Sequence, residues 1–158
     1  MAVVRKIPIR VYVDTSVFGG VFDEEFDLAS ERFFKEATAK KFVLITSELV
    51  REEISAAPPE VQRYFEKMLP YCEIVEIQNE PLRLQAAYLN EEIVSSKYAA
   101  DALHVALATV SGAKMIVSWN FKHIVNYQKI PLYNAVNTLK GYDTIEIYSP
   151  QEVIDDED

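Results

Sequence analysis

Cysteine and long apolar segments are scarce in this sequence. Cys72 is the only cysteine, so the chain cannot form an internal disulfide, and a reducing compartment is the simpler expectation. No apolar run approaches the roughly 18 residues that span a bilayer, and the first residues lack the apolar core of a signal peptide. We therefore expect a cytoplasmic protein that does not enter a membrane.

Basic residues and glycines are also few. The chain has 16 Lys and Arg against 25 Asp and Glu, which gives a formal net charge of -9. This balance argues against the broad basic face with which duplex DNA binders displace counterions. The acidic balance does not exclude nucleic acid as a ligand. If several acids bind cations at one site, the cations reverse the local charge and attract a phosphodiester. Gly19-Gly20 lacks the lysine and the spacing of a nucleotide-binding loop.

The composition is otherwise that of a folded domain. Hydrophobic residues make up 49% of the 158 residues and aromatic residues 11%, which is enough for a buried core. A chain of this length normally forms one domain. We predict a single domain over residues 1–150 and an acidic, solvated tail over residues 151–158.

Short runs rich in β-branched residues recur along the chain, and each is separated from the next by a segment long enough for a helix. This alternation predicts an α/β fold with a mostly parallel sheet. The predicted strands are Ile9 to Val13, Phe42 to Thr46, Glu73 to Ile77, Lys114 to Ser118 and Thr144 to Tyr148.

The intervening segments show helical periodicity. Ser47 or Thr46 is predicted to cap a helix that begins at Glu48, and Pro58-Pro59 to end it. Two other segments each have an apolar face that we assign to the core, formed by Leu28, Phe33, Phe34 and Ala37 in the first and by Leu82, Ala86, Leu89 and Ile93 in the second.

Two carboxylates stand in strongly apolar surroundings. Asp14 follows the run Val11-Tyr12-Val13, and Asp101 lies between alanines. An ionised carboxylate in apolar company requires a partner or a cation. Ligands gather at the carboxyl ends of parallel strands, and hard divalent cations prefer oxygen ligands. Asp14 and Asp101 are therefore candidate metal ligands, and Glu53 and Asn120 are polar candidates for the same site.

Four short motifs occur in order along the chain. They are Asp14-Thr15-Ser16 after a strand, Ser47 followed by Glu53 on a helix, Ala99-Ala100-Asp101-Ala102-Leu103-His104 on a helix, and Ser118-Trp119-Asn120 after a strand. No single motif is specific, but their order and spacing resemble the PIN-domain ribonucleases, and in particular the VapC-like toxins. The resemblance implies a three-layer α/β/α fold with a central sheet of about five strands and the acids at one edge.

The resemblance also implies roles for individual residues. Asp14, Glu53 and Asp101 match the metal-binding acids of the family, with Glu52 a rival for Glu53. Asn120 stands where many members have a fourth acid, so it offers a neutral oxygen and one negative charge fewer. Thr15 or Ser16 and Ser118 match hydroxyl positions that orient a carboxylate or a metal-bound water.

Two other side chains are assigned to the surroundings of the site. His104 follows Asp101 by three residues and can share its helical face, but with no cysteine or second histidine nearby a zinc site is not expected. We predict a supporting or packed position for His104. Lys122, in Phe121-Lys122-His123, is a candidate contact to RNA at the rim of the site.

The function implied by the resemblance is a Mg²⁺- or Mn²⁺-dependent endoribonuclease, the toxin of a toxin-antitoxin pair. Its partners would be an RNA substrate, a small antitoxin protein and a second copy of the chain. Four apolar residues could form the dimer contact, although core packing explains them equally well: Tyr64, Phe65, Leu69 and Tyr88.

Two alternatives belong to other functional classes. A noncatalytic RNA- or protein-binding module on the same fold is compatible with Asn120 and with the acidic composition. A phosphatase with Asp14 as nucleophile is disfavoured, because the acid that such enzymes have two residues later is replaced here by Ser16.

Overall fold

A computed structural model describes residues 7–156 of the protein. The strands are β1 (Ile9–Val13), β2 (Phe42–Ser47), β3 (Cys72–Val75), β4 (Met115–Val117) and β5 (Glu146–Tyr148). The helices are α1 (Thr15–Gly20), α2 (Asp27–Thr38), α3 (Glu48–Ser55), α4 (Pro59–Met68), α5 (Asn79–Asn90), α6 (Ala99–Val110), α7 (Ile130–Leu139) and α8 (Pro150–Val153). Short 3₁₀ turns, Leu69–Tyr71 and Ser96–Tyr98, precede β3 and α6.

The five strands form one sheet in the order β3-β2-β1-β4-β5, and every neighbouring pair is parallel. Helices flank the sheet, so the predicted three-layer α/β/α class is confirmed. The chain leaves β1 toward β2 on one side and returns to β4 on the other. Ligands bind in such sheets where the strand order reverses, at the carboxyl ends of the strands. Asp14 directly follows β1 at this position.

Local sequence signals explain several element boundaries. The side chain of Ser47 accepts a hydrogen bond from the Val50 N–H and so caps α3, as predicted. Pro59 occupies the first turn of α4, where its missing N–H has no effect on the helix ladder. Gly141 adopts a φ of 84° just after α7, a conformation that glycine takes without strain.

The two predicted apolar faces had different outcomes. On α2, Phe33, Phe34 and Ala37 are buried, but Leu28 is 80% exposed because it lies in the first turn, outside the face that packs on the sheet. On α5 the predicted face was wrong for Leu82 and Ala86, which are exposed, whereas Ile93, just after the helix, lies in the core. Leu82 is 40% exposed, and the buried residues are Pro81, Leu84 and Tyr88. Helical spacing predicts that apolar residues recur every three or four positions. Packing against α6 and α7 decides which of these residues face the core, and this is the phase of the helix.

Tyr88 and Phe65 do not provide an exposed dimer surface. Both side chains lie in the core, and the Tyr88 hydroxyl donates to Asn137 on α7. Cys72 is half-buried, and burial raises the pKa of its thiol to about 12. Within residues 7–156, none of the helices has the length and apolar composition to span a membrane.

The segment from α8 onward contacts the body of the domain. Lys41 Nζ lies 2.7 Å from Asp155 Oδ1 and 2.7 Å from Glu36 Oε1, and α8 packs on α2. The division into a domain of residues 1–150 and a solvated tail of residues 151–158 stays a prediction. Glu157 and Asp158 lie outside the described residues.

Candidate metal centre

Asp14 is a buried carboxylate with a fixed orientation. It is 4% exposed, and its Oδ2 accepts hydrogen bonds from the hydroxyls of Ser16 and Ser118, each at 2.7 Å. Each serine oxygen in turn accepts a backbone N–H, from Trp119 at 2.9 Å and from Asn120 at 2.9 Å. Because an ionised carboxylate only accepts hydrogen bonds, both hydroxyl protons point to Asp14. Oδ2 is thus held by two donors, while Oδ1 faces His104.

Glu53 reaches the same place from α3. Its Oε1 accepts a hydrogen bond from Thr15 Oγ1 at 2.6 Å and lies 2.6 Å from His104 Nε2. Burial alone would raise the pKa of Glu53, but the hydrogen bond and charge of His104, together with Thr15, lower it below its usual value. Glu52 is exposed to solvent. The structure therefore brings Glu53, and not its rival, to Asp14.

His104 lies between the two carboxylates. Its Nε2 is 2.6 Å from Glu53 Oε1 and 3.4 Å from Asp14 Oδ1, and the residue is 1% exposed. Burial alone would lower the pKa of His104, but the charge of Asp14 and the hydrogen bond and charge of Glu53 raise it above its usual value. His104 is thus a central member of the site and more than a packed neighbour.

Tyr12 was missed by the sequence analysis. Its hydroxyl lies 2.8 Å from His104 Nδ1 and 2.7 Å from Ser47 Oγ, and the side chain is fully buried. A hydroxyl in an apolar strand two residues before Asp14 was a usable signal, because alternate residues of a strand face the same side. Ser47, which caps α3, hydrogen-bonds to Tyr12, and Tyr12 in turn fixes the ring of His104.

Asp101 lies in the first turn of α6, the helix that also provides His104. Burial raises the pKa of Asp101 above its usual value, a hydrogen bond from Asn120 opposes the rise, and the charge of Asp14 adds to it. The Asn120 Oδ1 accepts the His123 N–H at 3.0 Å, so its amide group is the part available to Asp101. Asn120 therefore hydrogen-bonds to Asp101, and its role in the reaction stays a prediction.

Lys122 lies beyond these residues and is exposed. Its Nζ is 5.1 Å from the centre of the Tyr98 ring, at the end of the turn that leads into α6. Lys122 is not among the three residues of the close cluster, and its contact with RNA stays a prediction.

Three side chains fit a divalent cation. Asp14, Glu53 and His104 each offer one ligand atom, and these atoms lie within 4.8 Å of one another. His104 Nε2 could bind a cation only without the proton that it shares with Glu53 Oε1, so in that state the hydrogen bond between the two would be absent. Carboxylate oxygens suit Mg²⁺ and Mn²⁺, and imidazole nitrogen is accepted by Mn²⁺ more readily than by Mg²⁺. The predicted set was Asp14, Glu53 and Asp101. Asp101 acts electrostatically on Asp14 and His104 but is not part of the close cluster.

The family model of the PIN domain matches residues 11–123, a range that contains every residue of this centre. The chain belongs to the PIN domain family. PIN domains are nucleases that generally use a divalent metal. Among curated proteins, the search found no significant relative.

Two solved structures share the PIN fold of this chain. One is a chain of VapBC2 from Rickettsia felis bound to a DNA fragment from their promoter, with a TM-score of 0.58 and 15% identity over 89% of this chain and 98% of that chain. The other belongs to DNA-bound VapBC from Salmonella typhimurium, with a TM-score of 0.55 and 13% identity over 90% of this chain and 98% of that chain. At these identities the likeness concerns the fold.

Proposed function

We propose that this PIN domain is a metal-dependent endoribonuclease that hydrolyses phosphodiester bonds in RNA. The observation that supports the proposal is the convergence of Asp14, Glu53 and His104 from three separate elements at the carboxyl edge of the sheet. Two carboxylates brought this close repel each other, and a bound divalent cation relieves that repulsion. A site with this arrangement is suited to an anionic substrate that a cation recruits.

Mg²⁺ or Mn²⁺, when bound, lowers the pKa of a coordinated water and neutralises charge on the phosphate oxygens. Asp14 would bind the cation through Oδ1, since Oδ2 is already held by Ser16 and Ser118. Glu53 would bind the cation through Oε2, because its Oε1 is hydrogen-bonded to Thr15 and His104. Asp101, which is hydrogen-bonded to Asn120, would add a further negative charge near the cation.

The biological setting is part of the same proposal. The motif pattern of the VapC-like toxins and the fold shared with chains of VapBC complexes support a toxin that a small antitoxin protein inhibits. We place this toxin in the cytoplasm and expect it to dimerise. Because Phe65 and Tyr88 are buried, the dimer contact would use other residues.

The test is cleavage of a labelled single-stranded RNA by the purified protein with Mn²⁺, with Mg²⁺ and with a chelator. Glu53→Gln keeps the shape of the side chain but removes its charge, and it should reduce the rate by on the order of 10–100-fold. Glu52→Gln is the matched control, because it makes the same change one residue away on the exposed face of α3. It should leave the rate within about twofold.

Two results would contradict the proposal. One is cleavage that persists in chelator, and the other is equal activity of the Glu53→Gln and Glu52→Gln proteins. If no RNA is cleaved under any metal condition but RNA or a protein partner still binds, the noncatalytic module is the correct function.

A further inference from the structure

A group of basic residues surrounds Tyr98 in this otherwise acidic protein. Lys97 Nζ lies 5.6 Å and Lys122 Nζ 5.1 Å from the centre of the Tyr98 ring, and the His123 ring centre is 4.0 Å from it. Lys129 Nζ lies 3.3 Å from His123 Nδ1. We call these five residues the lysine cluster. Gathering three ammonium groups is unfavourable unless an anion lies nearby.

The contact with Lys129 determines which ring nitrogen of His123 carries the proton. A lysine ammonium has only donors, so His123 Nδ1 accepts from Lys129 and the ring proton resides on Nε2. Burial, assisted by Lys129 and Lys122 and opposed by Asp101, lowers the pKa of His123, which keeps the ring neutral. His123 is 7% exposed, and its Nε2 has no hydrogen-bond partner among residues 7–156.

An unpaired buried N–H donor is destabilising, so the Nε2 of His123 is expected to bind a water or another acceptor that is not part of residues 7–156. The neighbouring charges favour an anionic acceptor. The amino end of α6 follows Tyr98 directly, and the positive end of the helix dipole favours an anion at the same place.

The lysine cluster is continuous with the metal centre. Tyr98 precedes α6, whose first turn contains Asp101, and Lys122 follows Asn120 by two residues. An anion bound by the cluster would therefore lie next to the acids. A polymer with regularly spaced phosphates can occupy both places at once, with one phosphate at the cation and the next at the lysines.

We propose that the lysine cluster binds the RNA phosphate that neighbours the scissile phosphate, and so sets the register of the substrate. The proposal rests on the proposed function for the nature of the polymer. The subsite itself requires no metal, because its donors are the ammonium groups of the lysines. Tyr98 holds two of the lysines by cation–π contacts and so limits their motion.

The experiment measures binding separately from cleavage. Anisotropy of a fluorescently labelled single-stranded RNA is recorded in chelator, over a series of salt concentrations, with the full chain. Lys97→Gln and Lys122→Gln should each weaken binding about fivefold at low salt and reduce the salt slope by about 0.7, the value for one phosphate contact to a single strand. Lys122→Arg should retain binding, because it keeps the charge.

Lys114→Gln is the matched control. Lys114 is also exposed, but it precedes β4 and so lies at the opposite edge of the sheet. Its substitution should leave both affinity and slope unchanged within error. Equal effects of all three Gln substitutions, or none, would overturn the subsite.

Two competitors identify the ligand. Unlabelled RNA should displace the probe far better than inorganic phosphate at equal phosphate concentration, and a polyglutamate peptide should not compete. Displacement by free phosphate as effective as by RNA, or by polyglutamate, would overturn the proposal in favour of a simple anion or an acidic protein. Loss of RNA binding in the lysine variants without any metal-dependent cleavage would retain the subsite and refute the nuclease.

Discussion

The two ends of β1 place charged side chains in opposite environments. Arg10 and Tyr12 on β1, and Asp14 just after it, are alternate residues that contact α6 or the residue that follows it. At the amino end, Arg10 pairs with Glu73, and the two side chains are 38% and 53% exposed. At the carboxyl end, the side chain of Asp14 is 6% exposed and contacts two serine hydroxyls and His104.

The exposed pair and the buried carboxylate differ in how much they affect stability and ligand binding. An exposed ion pair exchanges water for a partner at little net gain. A buried carboxylate is stable only where hydrogen bonds replace the water that it has lost, and a bound cation relieves the negative potential that remains. Ligand binding, packing and mutation should therefore have large effects at the carboxyl edge and small effects at the amino edge.

Metal binding should have the largest effect. Mn²⁺ at about 100 times its Kd should stabilise the native protein by about 2.7 kcal/mol, because it binds the folded state alone. The expected rise in Tm is about 5–10 °C for a chain of this size, measured by thermal unfolding at constant ionic strength. Asp14→Asn should lose most of this rise, and Glu52→Gln should keep it. An equal rise in both variants would place the cation elsewhere.

Two adjacent glycines on α1 test the packing of the same edge. A Cβ at Gly20 would lie 2.6 Å from Ser30 Oγ and 2.8 Å from Trp119 Nε1, two atoms that hydrogen-bond to each other. Gly20→Ala should therefore lower the free energy of unfolding by about 1–3 kcal/mol.

Gly19 is the control for this substitution, because a Cβ there meets no atom within 4 Å. Gly19→Ala should raise the free energy of unfolding by up to about 1 kcal/mol, since alanine favours the helix. Denaturant unfolding of both variants measures the contrast. A Gly20→Ala protein as stable as the Gly19→Ala protein would mean that Trp119 and Ser30 rearrange freely.

Tyr12→Phe removes one hydroxyl from the middle of β1. His104 Nδ1 and Ser47 Oγ then lose a hydrogen-bond partner in a buried place, so the free energy of unfolding should fall by about 1–2 kcal/mol. RNA cleavage should also fall, by on the order of tenfold, because the ring of His104 is no longer fixed. Unchanged stability and unchanged cleavage would show that His104 is held without Tyr12.

Glu73→Gln, at the opposite end of the sheet, should have the smallest effect. The exposed pair with Arg10 contributes about 0–1 kcal/mol, and Arg10 still donates to the Ser111 carbonyl at 2.8 Å. The free energy of unfolding should change by less than 1 kcal/mol, and RNA cleavage should not change. A loss as large as that of Tyr12→Phe would remove the contrast between the two edges.

The motifs carried enough local information to locate most of this site. Asp14 was predicted from the apolar strand before it, and Glu53 was preferred to Glu52 because its spacing from Ser47 matches the motif that resembles the PIN domains. The position of His104 was not predictable, because its spacing from Asp101 says only that both can share a face of α6. Contacts from β1 and α3 decided that its Nε2 lies between two carboxylates.

Sequence alone predicted the order of the strands and of every helix except α1 and α8, the parallel sheet and the edge at which the acids lie, because apolar periodicity and capping residues act locally. The tertiary structure alone decided the phase of α5, the role of Tyr12, the orientation of Asn120 toward Asp101 and the unpaired Nε2 of His123. These features depend on distances between segments that are remote along the chain. Such distances are fixed by how the whole core packs, and no local pattern encodes them.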